Sequence, residues 1–370
     1  MAVLNEEQTM LRDAAKAWVQ EKSPVTAFRK LRDSGNEDGF DRASWREMAE
    51  MGWSGILIPE EFGGTGLGYQ TLGLVLEETG RTLTASPLIS TALTATTALL
   101  LGGSDAQRKE WLPKIADGST VAALAVDEGP HHHPETIALK AAKGGSGFTL
   151  SGKKTFVIDG GSADLLIVAA NTGNGVTLFL VKNDAKGLTR QRLHSVDSRG
   201  MANLTFDNVA AESMLGSEGQ GGALLEKILD RARAGLAAEM LGTATQAFEI
   251  TLDYLKTRTQ FGQLIGTFQA LQHRAAKMYT DMELTRSCVE AALAAIDNNA
   301  NDVPQLASLA KASASELLHL VSSEMVQMHG GIGMTDAHDA GLYLKRARVA
   351  EATYGGASFH RDRYATLLGY

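Results

Sequence analysis

The chain has 370 residues, of which 44% are hydrophobic and 21% charged, with a net charge of −8 and a pI of about 5.6. The length allows two or three domains, and the acidic balance argues against nucleic acid or an anionic membrane as a partner. No apolar run approaches the length needed to cross a bilayer. A single cysteine, Cys288, excludes an intrachain disulfide. With a polar N-terminus, this favours a reducing compartment, so we expect a cytoplasmic protein.

Hydrophobic periodicity predicts helices in the first third of the chain. Asn5 is a candidate N-cap for the first helix. Further helices are predicted at residues 40–51, 72–82, 88–101 and 105–115. Short apolar runs bounded by Gly, Asn or Asp then predict strands at residues 121–126, 148–150, 155–158, 165–170, 176–181 and 204–206. Ser151 and Gly152 are predicted to form a turn, and from about residue 219 the pattern is helical again.

This order predicts a mainly helical α+β protein with three domains. They are an N-terminal helical domain at residues 1–120, a small β-barrel or sandwich at 121–218, and a helical bundle at 219–370.

A turn after the first long C-terminal helix is the most informative local feature. The helical pattern stops at Arg258-Thr-Gln-Phe-Gly262, and a second helix is predicted to start near Thr267, a plausible N-cap. Gly262 and Gly266 allow backbone angles that other residues avoid. The turn therefore holds together the cation of Arg258, the amide of Gln260 and the aromatic ring of Phe261. This set is suited to a nucleotide diphosphate beside a purine.

Three motifs resemble those of the acyl-CoA dehydrogenase family. The stretch from Arg258 to Met278 resembles one family signature, and Gln327-Met-His-Gly-Gly-Ile-Gly333 resembles its QxxGGxG signature. Ile58-Pro-Glu-Glu-Phe-Gly-Gly64 resembles the family's PEEYGG stretch. Their order and spacing also match, so the resemblance extends over essentially the whole chain.

The resemblance implies a helical domain, a β-barrel and a four-helix bundle, with FAD as the cofactor and an acyl-CoA thioester as the substrate. In the family, a carboxylate removes a proton from Cα, and the flavin accepts a hydride from Cβ. The resemblance also implies residues that reach a neighbouring subunit's FAD: Arg258, Gln260, Phe261, Gln327, Gly330 and Gly331.

Both family positions for the catalytic glutamate lack a carboxylate here. Gly355 stands where medium-chain-type members have the Glu of Tyr-Glu-Gly-Thr, and Ala232 stands where long-chain and isovaleryl-type members have it. Asp230 is expected to point away from that face, and Glu239 lies about two helical turns along it. We therefore interpret Asp230 and Glu239 as structural residues and not as the catalytic base. The resemblance separately implies that Asp230 and Arg233 contact the substrate.

The residues implied to face the chain's own flavin also depart from the family pattern. The family's Thr-Glu-Pro-Gly-x-Gly-Ser is replaced by Val126-Asp-Glu-Gly-Pro-His-His-His133, and two further hydroxyl positions are occupied by Ile158 and Ala357. The pattern is similar to the base-lacking subunit of heteromeric bacterial acyl-CoA dehydrogenases that degrade steroid side chains. We therefore expect a homologous partner chain, in a hetero- or homotetramer, and an enzyme that is inactive alone.

Two other functions stay open: a non-catalytic scaffold, and a flavin monooxygenase or nitroalkane-oxidase-like enzyme on the same fold. No metal site is expected, because three consecutive histidines at 131–133 cannot all face one ion and are interpreted as a surface loop. His329 is interpreted as a hydrogen-bonded interface residue, and residues 360–363 as a solvated helix face.

Overall fold

The computed structural model of the protein describes residues 4–145 and 147–370. Its α-helices are Glu6–Lys22 (α1), Val25–Asp33 (α2), Arg42–Glu50 (α3), Gly68–Arg81 (α4), Thr96–Gly102 (α5), Asp105–Ala116 (α6), Gly221–Thr257 (α7), Gln269–Asp297 (α8), Val303–His329 (α9), Ala340–Ala352 (α10) and Ala357–Leu367 (α11). Short 3₁₀ segments lie at Trp53–Gly55, Glu60–Phe62, Ile265–Thr267 and Gly330–Met334, and a π-helical segment at Leu88–Ala95.

The strands occupy the middle of the chain, apart from one small hairpin. They are Ala122–Ala125 (β1), Lys140–Gly144 (β2), Gly147–Ile158 (β3), Leu165–Asn171 (β4), Val176–Lys182 (β5), Leu188–Leu193 (β6), Met201–Ala210 (β7), Ser213–Leu215 (β8), Thr259–Gln260 (β9) and Gln263–Leu264 (β10). This order of helices, strands and helices confirms the predicted mainly helical α+β class.

The chain divides into two compact units. One contains the described residues up to Phe28 together with Gly73–Thr84 and Arg233–Tyr370, and the other contains Arg29–Leu72 and Ala85–Ala232. The predicted domain boundaries near residues 120 and 218 stay predictions.

An eight-stranded sheet organises the second unit. Its hydrogen-bonded order is β6-β7-β3-β2-β4-β5-β8, and β1 pairs in parallel with β4. β4 is apolar almost throughout because it pairs with β1 and β5 and is buried over six of its seven residues. Its side chains join a buried apolar cluster that also includes Leu150, Phe179 and Phe206.

Two predictions in this unit are wrong in detail. Ser151 and Gly152 do not turn the chain: they lie inside β3, where Gly152 has φ +145° and the pairing with β7 shifts. A glycine bulge in a strand produced the turn-like pattern. The predicted helix at 88–101 is a π-helical segment followed by α5. The hydroxyls of Thr94 and Thr96 donate to carbonyls five residues earlier, at 2.6 and 3.0 Å.

The first unit is built around α9, which packs against α8, α10 and α11. The predicted cap at Asn5 is confirmed, because its side chain accepts from the Gln8 amide at 2.7 Å in a capping box. The predicted N-cap at Thr267 is wrong. Thr267 closes a 3₁₀ turn by donating to the Leu264 carbonyl, and α8 begins after Phe268 instead.

Candidate functional site

The first predicted nucleotide contact is a tight hairpin at the end of α7. β9 and β10 pair antiparallel, which leaves Phe261 and Gly262 as the two turn residues. Their φ angles, +54° and +80°, match a type I′ turn. A positive φ is costly for a bulky residue, yet Phe261 holds one with 89% of its surface exposed. The hairpin therefore presents an aromatic ring to whatever binds there.

The second predicted contact is the turn that ends α9. Gly330 has φ +64° and starts the 3₁₀ segment, and Gln327, Gly330 and Gly331 are all exposed. A Cβ added at either glycine would meet nothing within 4 Å. Packing within this chain therefore does not require these glycines, and open space lies above the backbone at both.

The structure brings the ends of the two helices that carry these turns into contact. The rings of Tyr254, at the end of α7, and His329, at the end of α9, lie 4.3 Å apart, and the Tyr254 hydroxyl donates to the His329 carbonyl at 3.4 Å. We call the exposed residues of these turns the shared edge: Arg258, Gln260, Phe261, Gln327, Gly330 and Gly331. Within the described parts of the chain, the exposed Arg258 guanidinium has no ion-pair partner, so its charge is available to an anion.

Neither base position could offer a carboxylate. Ala232 is fully buried in α7. Gly355 has φ +102°, and an added Cβ would lie 2.4 Å from Phe359 Cδ1 and 3.0 Å from His360 Nε2. The side chains that follow Gly355 thus occupy the volume into which a longer residue would extend.

Three basic side chains hold the backbone of this turn from inside the first unit. Lys311 donates from Nζ to the carbonyls of Gly355 and Glu351, at 2.9 and 3.1 Å. His360 Nε2 donates to the Tyr354 carbonyl at 3.0 Å, and Arg233 Nε lies 3.4 Å from the same oxygen. All three are buried, so the prediction that 360–363 form a solvated face is wrong for His360. Its ring lies inside because it binds the turn.

Burial shifts the protonation of two members of this cluster. Burial lowers the pKa of Lys311 to about 7, although Glu351 opposes the shift. Burial, with the positive charges of Lys311 and Arg233 nearby, lowers the pKa of His360 to about 2, so its imidazole is neutral. Sequence reasoning missed Lys311. Its position inside the apolar run Leu306-Ala-Ser-Leu-Ala-Lys311 was the available signal, because a lysine on a buried helix face needs acceptors.

In the second unit, the loop after β1 is closed by its own side chains. His132 Nδ1 lies 2.8 Å from the Asp127 carboxylate, and His132 is buried, which corrects the surface-loop interpretation for that histidine. The Glu128 carboxylate accepts from the amides of Ala138 and Leu139, at 2.7 and 2.9 Å.

An ion pair between a buried lysine and a half-buried glutamate completes this loop. Lys154 Nζ lies 2.6 Å from the Glu128 carboxylate, and burial lowers the pKa of Lys154 to about 8 while Glu128 opposes the shift. The loop carries three carboxylates, Asp127, Glu128 and Glu135, and each lies against a partner within the chain. It does not fit the edge of an electron-accepting ring, whereas the donors of the shared edge fit a dinucleotide diphosphate.

The predicted substrate contacts are both buried, with Asp230 3% exposed and Arg233 fully covered. Arg233 lies over the Phe359 ring at 5.5 Å, and the assignment of Asp230 and Arg233 to the substrate stays a prediction. Glu239 is likewise buried, at 4% exposure. Within residues 4–145 and 147–370, no group of His, Cys, Asp and Glu could hold a metal ion.

Across the same described residues, none of the helices combines the length and apolar character needed to span a membrane. The expected cytoplasmic location stays a prediction.

Three family models match the chain: the acyl-CoA dehydrogenase N-terminal domain at residues 5–119, the middle domain at 118–209 and the C-terminal domain at 219–367. The chain belongs to the acyl-CoA dehydrogenase family. Members of this family are FAD flavoproteins, and the predicted fold of N-terminal helices, middle sheet and C-terminal helices is confirmed.

Similar proteins include chains from paired complexes. This family member is 33% identical to the acyl-CoA dehydrogenase IpdE2 of Mycolicibacterium smegmatis over 354 residues, which cover 95% of this chain and 96% of that protein. It resembles the structure of a variant of the Tcur3481-Tcur3483 steroid ACAD, with 36% identity, 98% of both chains covered and a TM-score of 0.91. It also resembles a chain of the ChsE4-ChsE5 complex from Mycobacterium tuberculosis, with 26% identity, 100% and 99% coverage and a TM-score of 0.91.

Proposed function

We propose that this member of the acyl-CoA dehydrogenase family is one subunit of a complex that catalyses α,β-desaturation of an acyl-CoA thioester. A homologous partner chain supplies the catalytic glutamate, and this chain holds the partner's FAD through the shared edge. One contrast carries the proposal. Gly355 and Ala232 leave no base, whereas the shared edge keeps its cation, its aromatic ring and its open glycine backbone.

Each residue of the shared edge has a role that its chemistry supports. The Arg258 guanidinium is suited to the pyrophosphate, because planar paired donors match phosphate oxygens. The exposed ring of Phe261 offers a face for the adenine, and the backbone at Gly330 and Gly331 is open to a close approach.

The flavin, when bound, supplies the acceptor for the hydride that leaves Cβ of the substrate. No side chain at Gly355 or Ala232 can take the Cα proton, so deprotonation is assigned to the partner's glutamate. The carboxylates of Asp127 and Glu128, in the loop after β1, are bound by groups of this chain. This supports the proposal that the chain does not bind a flavin ring at that loop.

The relatives support a paired assembly. The names Tcur3481-Tcur3483 and ChsE4-ChsE5 each join two chains, and the first is described as a steroid ACAD. We propose that the present chain likewise pairs with a second chain, and that the acyl group of its substrate is a steroid or another lipid-derived group.

The test is to purify this chain alone and with a co-expressed homologous subunit that retains the glutamate, and to measure bound flavin by its visible absorbance. We expect little flavin and no dehydrogenase turnover alone, and both with the partner. Removing the Arg258 guanidinium with Arg258→Ala should cost about 1.5–3 kcal/mol of flavin binding, or roughly 10- to 100-fold. Arg12→Ala, which removes an arginine on α1 with 39% of its side chain exposed, serves as the control and should leave flavin binding unchanged.

Two outcomes would contradict the proposal. A yellow complex of this chain with itself that desaturates a thioester unaided would show that a base is present after all. A complex that binds no flavin with any glutamate-bearing partner would favour the scaffold function.

A further inference from the structure

A stack of three rings joins the segments behind the shared edge. His329 lies between Tyr254 and His338, with ring centroids 4.3 and 4.2 Å away, and is only 3% exposed. Tyr254 comes from the end of α7, His329 from the end of α9, and His338 from the segment before α10. The stack therefore connects the turn carrying Gly330 to the helix that carries the Arg258 hairpin.

The hydrogen bonds of His329 are those of a neutral ring. His329 Nδ1 lies 2.7 Å from the Met325 carbonyl, which can only accept, so Nδ1 carries the proton. Its Nε2 is buried and has no hydrogen-bond partner among the described residues. A second proton would have to go to this covered nitrogen, which has no acceptor beside it. On the other side of the stack, His338 Nδ1 accepts from the Ala340 amide at 3.1 Å.

Among the described residues, neither ring nitrogen of His329 contacts a carboxylate, because Nδ1 lies against the Met325 carbonyl and Nε2 has no hydrogen-bond partner. The titratable groups that contact it are Tyr254 on α7 and His338 on the segment before α10. α9 contributes the Met325 carbonyl, and the 3₁₀ segment contributes Gly333, neither of which titrates. Burial, with His338 nearby, lowers the pKa of His329. A proton on His329 would place a cation in a covered stack, where its charge is poorly solvated.

We propose that the Tyr254–His329–His338 stack positions the two turns of the shared edge and does so only while the His329 imidazole is neutral. His329 acts as a positioning residue, since its buried ring fixes the backbone at Gly330 and Gly331 without reaching a ligand itself. The inference rests on the proposed function, because it concerns how firmly this chain holds the FAD of the complex. Acidification through the histidine range should therefore loosen the edge and release flavin.

The test measures the Kd for FAD of the complex with its glutamate-bearing partner, by the fluorescence of released flavin, between about pH 5.5 and pH 7.5. Loosening of the edge restores the ordinary pKa of 6.5 to His329, so FAD affinity falls by up to tenfold for each pH unit below that value, or up to about tenfold over this range. His329→Phe keeps a stacking ring without titration. We expect a smaller pH dependence in this variant, even if its affinity near neutral pH is also lower.

His133→Phe is the matched control, because His133 is an exposed histidine on the loop after β1 and should leave the pH profile unchanged. Tyr254→Leu, which removes one side of the stack, should weaken flavin binding several-fold at every pH. A wild-type complex that binds flavin with no pH dependence, or with the same dependence in His329→Phe, would overturn the inference while leaving the proposed function intact. A complex that binds no flavin at any pH would overturn both.

Discussion

Replacing Gly355 by alanine adds one methyl group at a place where the chain has no room for it. The new Cβ would lie 2.4 Å from Phe359 Cδ1 and 3.0 Å from His360 Nε2. Neither neighbour is free to move, because the Phe359 ring lies under the Arg233 guanidinium and the His360 ring is bonded to the Tyr354 carbonyl. The backbone adds a second cost, since φ at Gly355 is +102°.

These two costs set the expected size of the effect. A non-glycine residue in a sparsely populated backbone region costs about 1–3 kcal/mol. Overpacking a filled interior costs about 1–3 kcal/mol more. Gly355→Ala should therefore lower the free energy of unfolding of the isolated chain by roughly 2–6 kcal/mol, a large part of the roughly 5–15 kcal/mol typical of a folded domain. Gly355→Glu should cost more, because its carboxylate would be directed into the same packed volume.

Gly356→Ala is the matched control, one residue along the same turn. Gly356 has φ −81°, and the nearest atom to an added Cβ is the Glu351 carbonyl oxygen at 3.8 Å, an ordinary contact. Loss of a glycine N-cap and the lower entropy of the unfolded chain oppose each other, so the net change should stay within about 1 kcal/mol.

Urea unfolding of both variants, followed by circular dichroism, measures the difference. Equal stability of Gly355→Ala and Gly356→Ala would show that a Cβ fits at Gly355. A Gly355→Glu variant that folds normally and restores desaturation in the isolated chain would show that the volume at Gly355 is open to a base.

Three further predictions follow from buried and strained groups. The pKa of Lys311 is lowered from its ordinary value of 10.5 to about 7 in the folded chain, so the unfolded chain binds more protons between these two values. Stability should therefore rise with pH from about 7 to about 10.5. Urea midpoints measured across this window should rise less in Lys311→Met than in the wild type. The pKa of His360 is lowered from 6.5 to about 2, so stability should fall as the pH drops below about 6.5, and urea midpoints near pH 7 and pH 5 should differ less in His360→Leu. Phe261→Asn relieves a positive φ and should stabilise the isolated chain by about 0.5–1 kcal/mol in urea, while flavin retained by the complex on gel filtration should fall; unchanged flavin retention would refute the assigned role of the ring.

Local sequence determined the larger elements and the residues of the shared edge. The long helices have clear periodicity and ends, as with the capping box at Asn5 and the hairpin after Thr257. Strand β6 has no apolar run to mark it in the sequence, because exposed and half-buried residues are interleaved along it and most of them are polar. Gly152 was misassigned because a glycine in a bulge and a glycine in a turn look alike from their neighbours.

The sequence also showed that Gly355 and Ala232 lack a carboxylate, but only the tertiary structure showed what surrounds them. Phe359 and His360 fill the space beside Gly355, and Lys311 lies 44 positions from the carbonyl it binds. His360 and His132 were expected at the surface and are buried. Backbone periodicity and caps depend on neighbours within a few residues, so they can be predicted from the sequence. The burial and protonation of a polar side chain depend on acceptors supplied by distant segments, which only the folded chain brings together.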